Sequence, residues 1–280
     1  MRIKEVLNLA NEEFLNNGIQ NYFYETRELM SFVLNKTKEW VMANVENEID
    51  EESYKKFVEL KKQRIQGIPL QYILGEQYFM GLKFLVNKDV LIPRADTEIL
   101  VYEVLEVAKK FNKNVKILDL CTGSGCIAIS LAKNVENAEI FASDISDRAL
   151  IVAESNSKLN ETDVKFLKSD LFENVAERDF NIIVSNPPYI ASGDIPSLSR
   201  EVLQEPHGAL DGGADGLDFY RSIAENALNY LSKNGVLAFE IGYNQAEGIF
   251  DILEKFKYNN IRLLKDYSGN DRVVIAQNSF

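Results

Sequence analysis

Asn186-Pro187-Pro188-Tyr189 is the stretch of this sequence whose residue types and order are suited to chemistry. Two successive prolines lock φ, remove two N–H donors and leave their carbonyls facing outward. Asn186 adds a side-chain oxygen, and Tyr189 supplies a flat aromatic face. Two acceptors, the Asn186 side-chain oxygen and the Pro187 carbonyl, could bind both hydrogens of a planar NH2 group. The nitrogen of a carboxamide or an aniline-like amine has a delocalised lone pair and is a poor nucleophile. Holding it in near-attack geometry supplies on the order of 7 to 11 kcal/mol in favourable cases. The same acceptors stabilise the positive charge that grows on nitrogen as a methyl group arrives in line. No strong general base is required, in keeping with a chain whose one histidine is His207. Asn186, Pro187 and Tyr189 are the candidate catalytic residues, and Asn186 to Tyr189 the substrate platform.

A methyl donor needs its own site, and Asp119-Leu120-Cys121-Thr122-Gly123-Ser124-Gly125 offers one, leaving an apolar run and entering a helix near Cys126. Glycines 123 and 125 permit positive φ and a close ligand approach, and the helix start turns free N–H groups toward the ligand. Gly123-Ser124-Gly125-Cys126-Ile127-Ala128 also fits the G-x-G-x-x-A dinucleotide fingerprint, and Asp144, after the next strand, suits the ribose diol of either NAD or S-adenosylmethionine. Asp119 favours S-adenosylmethionine, because a carboxylate there suits an ammonium and a sulfonium and repels a pyrophosphate. Asp170 is expected on the adenine side, with Leu171 and Phe172 as apolar contacts. The cofactor set is therefore Asp119, Cys121, Thr122, Gly123, Ser124, Gly125, Asp144, Asp170, Leu171 and Asn186.

The elements that position these residues follow from periodicity. Ile3, Val6, Leu7, Ala10 and Phe14 lie on one helical face, Leu29, Met30, Val33 and Leu34 on another, and Asp50 caps a third helix bearing Tyr54, Phe57, Val58 and Lys61. Gly67, Pro69 and Gly75 break the helical pattern. Leu82, Phe84 and Val86 alternate with Lys83 and Leu85, and Asn87-Lys88-Asp89 offers a turn into Val90-Leu91-Ile92, predicting a β-hairpin. Beyond residue 115, seven short apolar runs alternate with helical segments: 116–120, 139–143, 164–167, 181–185, 236–241, 261–264 and 273–276. The last two are too close for a helical crossover and should pair antiparallel. The expected fold is α/β, a Rossmann-like seven-stranded sheet with one antiparallel strand plus a small N-terminal helical bundle. Its divisions are 1–75 helical, 76–95 a hairpin linker, and 96–280 a cofactor-binding catalytic domain.

Bulk properties restrict the partners. Against 31 Lys and Arg stand 43 Asp and Glu, a net charge of −12, which disfavours nucleic acid as a bulk partner and suits a basic protein. Two cysteines five apart and one histidine exclude a disulfide framework and a His-based metal site. With no targeting pattern and no run long enough to span a bilayer, the expected compartment is the cytoplasm.

Taken together the blocks resemble one family, the PrmC/HemK glutamine N5-methyltransferases of class 1 peptide-chain release factors. The likeness runs through 67–75, 90–98, 119–125, 185–190, Glu205-Pro206, 209–213, 215–217, 240–242 and 269–272. It implies methyl transfer to the glutamine of a Gly-Gly-Gln tripeptide, a five-helix amino-terminal domain that holds the protein substrate, cofactor roles for Cys121 to Gly125, Asp144, Leu171 and Asn186, and substrate contacts at Asn186 to Tyr189. Many members carry glycine where this chain has Cys121, and some an aromatic at Leu171. Chemistry alone leaves a second reading open, since an exocyclic base amine is also a planar NH2 and the enzyme would then be a nucleic-acid N-methyltransferase. Asp211, Asp215 and Asp218 are expected to make turns and a helix cap. His207 is expected in a loop, and Arg94 to face a ligand carboxylate or pair with Asp96.

Overall fold

A computed structural model describes residues 1–111 and 114–278. The chain divides into two compact units, residues 1–75 with 199–204, and residues 76–198 with 205–278 of the described chain.

The first unit holds α1 (Ile3–Asn16), α2 (Tyr22–Leu34), α3 (Lys38–Ala43), α4 (Glu51–Ile65) and α5 (Leu70–Leu74). All five apolar residues expected on the first helical face are buried. Of the second face, Leu29 and Met30 are fully buried. The Asp50 carboxylate accepts from the Ser53 N–H at 2.9 Å, capping α4 as its residue type implies. Pro69 precedes the short α5, and Gly75 ends it at φ 75°. Arg64 lies on the buried face of α4, where apolar periodicity gave no sign of it. Its guanidinium bonds both oxygens of the Glu25 carboxylate and reaches Glu201 Oε1 at 3.0 Å.

The second unit begins with a hairpin whose pairing differs from the expected one. β1 (Glu76–Phe79) pairs antiparallel with β2 (Leu82–Leu85), and Val90-Leu91-Ile92 belongs to no strand. The turn is Met80-Gly81, both at positive φ (51° and 72°) as a two-residue type I′ loop requires. Methionine is a poor residue for that position. The Met80 N–H donates to Glu98 Oε1 at 2.6 Å, a tertiary bond that propensity could not foresee.

The sheet elements follow as α6 (Thr97–Ala108), β3 (Lys116–Leu120), α7 (Cys126–Asn134), β4 (Glu139–Asp144), α8 (Asp147–Leu159), β5 (Val164–Lys168), β6 (Phe180–Ser185), α9 (Asp218–Ala227), β7 (Leu231–Glu240), α10 (Ala246–Lys255), β8 (Asn259–Lys265) and β9 (Asp271–Gln277). The seven strands lie in the order β5-β4-β3-β6-β7-β9-β8. β9 is the one antiparallel strand, slotted between β7 and β8. Each of the seven strands expected beyond residue 115 is present; β7 starts earlier than expected, at Leu231. Two-residue alternation sends Ile117, Ile182 and Val184 into one apolar layer and Leu118, Leu120 and Ile183 into the other. Strand order reverses between β3 and β6, which is where an open α/β sheet leaves a crevice at its carboxyl edge.

Among the described residues no helix is long and apolar enough to cross a membrane, and no cluster of three or more His, Cys, Asp or Glu could hold a metal ion. Removing Glu25 takes two charge-assisted hydrogen bonds from the buried Arg64 guanidinium and leaves it Glu201 as a carboxylate partner. Glu25→Ala is therefore expected to destabilise the helical unit by roughly 1.5 to 3 kcal/mol, read as a lower denaturant midpoint; an unchanged midpoint would show that the pair carries no stability.

Candidate active site

The loops that leave β3, β4, β5 and β6 open onto one cavity of about 430 Å3. Of the residues singled out from sequence, Cys121, Gly123, Asp144, Asp170, Leu171, Asn186 and Pro188 line it. Asp119, Thr122, Ser124, Gly125, Pro187 and Tyr189 are not among the residues that line it.

Asp144 ends β4 and ties two elements together. Its Oδ2 accepts the Gly123 N–H at 2.8 Å and its Oδ1 the Ser146 N–H at 2.9 Å. Burial raises its pKa, and those N–H groups pull it back. The glycine loop turns through positive φ at Cys121 (58°), Gly123 (55°) and Gly125 (80°). Cys121 thus holds a left-handed conformation that glycine adopts at no steric cost, the physical reason a glycine suits that position. A Cβ on Gly125 would come within 2.9 Å of Ile129 Cδ1 and 3.1 Å of Ala153 Cβ, so that glycine lets α7 and α8 approach.

Asp119 shares its strand face with Ile117 and points under the start of α7. Its Oδ2 accepts from the Thr122 hydroxyl at 2.6 Å and the Ala128 N–H at 3.2 Å, while its Oδ1 is buried with no partner among the described residues. Burial outweighs both bonds and pushes its carboxyl up to about 7. Asp170 is exposed at the cavity rim. Leu171, at φ 45°, faces the cavity. Phe172, expected beside it, turns into the core and stacks on Tyr230 at 4.4 Å between ring centroids.

The Asn186 to Tyr189 platform leaves β6 and rests on the segment that carries Leu210, Gly212 and Gly216. The Ile190 N–H donates to the Leu210 carbonyl at 2.9 Å and the Gly212 N–H to the Ile190 carbonyl at 2.8 Å. A Cβ on Gly212 would stand 2.8 Å from the Pro188 carbonyl oxygen, and one on Gly216 2.4 Å from that of Tyr189. Gln245 completes the support by donating to the Tyr189 carbonyl at 2.8 Å. Asp211 and Asp215 do make turns, accepting from the Gly213 and Leu217 N–H groups. Asp218 makes no cap and pairs with Arg221. His207 opens a short 3-10 turn. Arg94 pairs with Glu205, and Asp96 instead meets Arg272 at 3.3 Å. Glu205 also accepts the Ile92 N–H at 3.0 Å.

With this geometry in place, comparison with known proteins is direct. Residues 5–75 match the family model of the PrmC N-terminal domain, and residues 96–216 that of the methyltransferase small domain. The chain is 42% identical to the release factor glutamine methyltransferase of Clostridium acetobutylicum, covering 99% of this chain and 98% of that one. It belongs to the release factor glutamine methyltransferase family. The protein of that name from Thermodesulfovibrio yellowstonii is 43% identical, over 91% of this chain and 92% of its own. A methyltransferase from Pyrococcus furiosus shares the fold, with a TM-score of 0.54 at 20% identity over 71% of this chain and 90% of that one. The family thus adds a name to a methyltransferase whose cavity, glycine loop and platform are carried by consecutive strand ends.

Two outcomes follow from the geometry. Gly212→Ala forces a Cβ against the Pro188 backbone and should cost about 1 to 3 kcal/mol while lowering turnover; wild-type melting and turnover together would refute the supporting role of this segment. The Asp119 pKa lies above its unfolded value of about 3.9, so its contribution to stability is full below about pH 4 and is lost as pH rises through about 7. Denaturant titrations at about pH 5 and about pH 8 should show a smaller loss of stability with rising pH in Asp119→Asn than in wild type; equal losses would mean that Asp119 titrates normally.

Proposed function

We propose that this chain transfers a methyl group from S-adenosylmethionine to the side-chain amide nitrogen of the glutamine in the Gly-Gly-Gln tripeptide of class 1 peptide-chain release factors. The observation that carries the reading is that Asn186 and Pro188 line the same cavity as Gly123 and Asp144. An NH2 group seated on the platform then faces whatever the glycine loop holds.

The residues present fit S-adenosylmethionine. The Asp144 carboxylate suits the ribose diol, Leu171 and the rim carboxylate of Asp170 suit the adenine end, and the loop 121–125 lets a ligand approach backbone where Gly123 leaves open space beyond its Cα. The unpartnered Asp119 oxygen beneath that loop favours positive charge nearby. When bound, the cofactor supplies a methyl group made electrophilic by its sulfonium. Everything else is done by this chain's own groups. The Asn186 side-chain oxygen and the Pro187 carbonyl bind the two amide hydrogens, turn the nitrogen lone pair toward the cavity and stabilise its growing charge. The methylated nitrogen gives up one of its hydrogens to solvent as a proton after the transfer, and no histidine is needed.

The relatives' names support a release factor as substrate, and the net charge of −12 suits a basic protein partner. In this reading the helical unit of residues 1–75 helps hold that partner, and the cytoplasm is the place of work.

Incubation with S-adenosylmethionine and a class 1 release factor, followed by peptide mass analysis, should locate one added methyl on the Gly-Gly-Gln glutamine. Methyl groups found only in RNA or DNA would replace this reading with base methylation. Asn186→Ala should leave folding intact and lower turnover roughly 100-fold; undiminished turnover would remove Asn186 from the mechanism.

A further inference from the structure

Glu240 ends β7 with 1% of its surface exposed, and nothing in the proposed reaction so far uses it. Its Oε1 lies 3.5 Å from the Tyr189 hydroxyl, and its Oε2 has no hydrogen-bond partner among the described residues. Around it stand Tyr189 from the platform, Thr97 and Asp96 at the start of α6, and Arg272 from β9. Arg272 spends hydrogens elsewhere, on Asp266 at 3.1 Å, on Asp96 and on the Ile241 carbonyl at 3.3 Å. Its charge nonetheless favours the ionised form of Glu240, as do the Thr97 and Tyr189 hydroxyls. Burial opposes them and is the larger effect, pushing the carboxyl up to about 7. Above that pH a buried carboxylate faces two hydroxyls.

We infer that Glu240 is a positioning residue that sets, through Thr97, which end of the Asn186 amide faces the substrate. A carboxylate accepts hydrogen bonds and cannot donate them. Both neighbouring hydroxyls therefore turn their hydrogens toward it. The Thr97 oxygen, 2% exposed, is then left only as an acceptor. Asn186 Nδ2 lies 3.4 Å from that oxygen and donates to it. With its NH2 end committed to Thr97, Asn186 has only Oδ1 to offer the cavity. The opposite orientation would set NH2 against the substrate NH2, donor against donor. The Asn186–Thr97 and Tyr189–Glu240 bonds, at 3.4 and 3.5 Å, are both long, as catalytic bonds often are before substrate tightens them.

Nothing in local sequence aligns these groups. Thr97 enters from α6, Glu240 from β7, Arg272 from β9 and Asn186 from the loop after β6. The inference rests on the proposed role of Asn186 as acceptor for the substrate amide.

The test is steady-state methylation of a class 1 release factor at about pH 8, where Glu240 carries its charge. Thr97→Val removes the hydroxyl at nearly constant volume and should lower kcat roughly 10- to 100-fold, with the KM for S-adenosylmethionine little changed. Thr97→Ser restores the hydroxyl and should recover most of that loss. Glu240→Gln sets an NH2 against one of the two hydroxyls and should lower kcat as Thr97→Val does. Thermal melting and calorimetric binding of S-adenosylmethionine identify any variant that has lost its fold. Wild-type kcat in folded Thr97→Val or Glu240→Gln overturns the inference, as does Thr97→Ser as slow as Thr97→Val. In those cases wild-type methylation of the glutamine leaves the proposed function standing. Absence of glutamine methylation by the wild-type protein sinks the proposed function and this inference with it.

Discussion

The parallel pairing of β3 with β6 is the constraint on which the candidate site depends. Leu120 lies opposite Ser185 in register, and the Ser185 hydroxyl donates to the Leu120 carbonyl at 2.8 Å in a fully buried position. That bond brings both strand ends to one level. The glycine loop leaves one strand and the Asn-Pro-Pro-Tyr platform leaves the other, so they emerge side by side. Strand order reverses at this pair, and the helices that follow depart to opposite sides of the sheet, opening the crevice between. A slip of one residue would turn Asp119 to the other face and separate the loop from the platform.

Carboxylates are then placed at graded depth around the crevice. Asp170 is exposed at the rim, Asp144 is held by two backbone N–H groups in the wall, and Asp119 and Glu240 are fully buried with one oxygen each lacking a hydrogen-bond partner among the described residues. Leaving such oxygens unmatched costs stability in the protein alone. Proteins tolerate that cost where a ligand or a required orientation repays it. Both deep carboxyls are pushed up to about 7 by burial. The glycines at 212 and 216 act differently, by subtraction: with no Cβ there, the chain lies against the platform backbone and holds it without any charged contact.

Sequence by itself determined the elements. The 3.6-residue spacing of Ile3, Val6, Leu7, Ala10 and Phe14, and the seven apolar runs after residue 115, reflect local burial patterns that need no partner to be read. That Gly123, Asp144, Asp170 and Asn186, each following a strand, line one cavity was legible for the same reason, since a strand end in an open α/β sheet is also a site edge. Tertiary structure decided what depends on residues far apart in the chain. The hairpin pairs across Met80-Gly81 and not across Asn87-Lys88-Asp89 because Glu98 holds the turn. Phe172 goes to the core because Tyr230 is there to stack on, and Arg94 meets Glu205 across more than a hundred residues. Thr97, Gly212, Glu240 and Gln245 show no motif of their own, because a hydrogen bond's direction and a missing Cβ acquire meaning only when the fold supplies the atom on the other side.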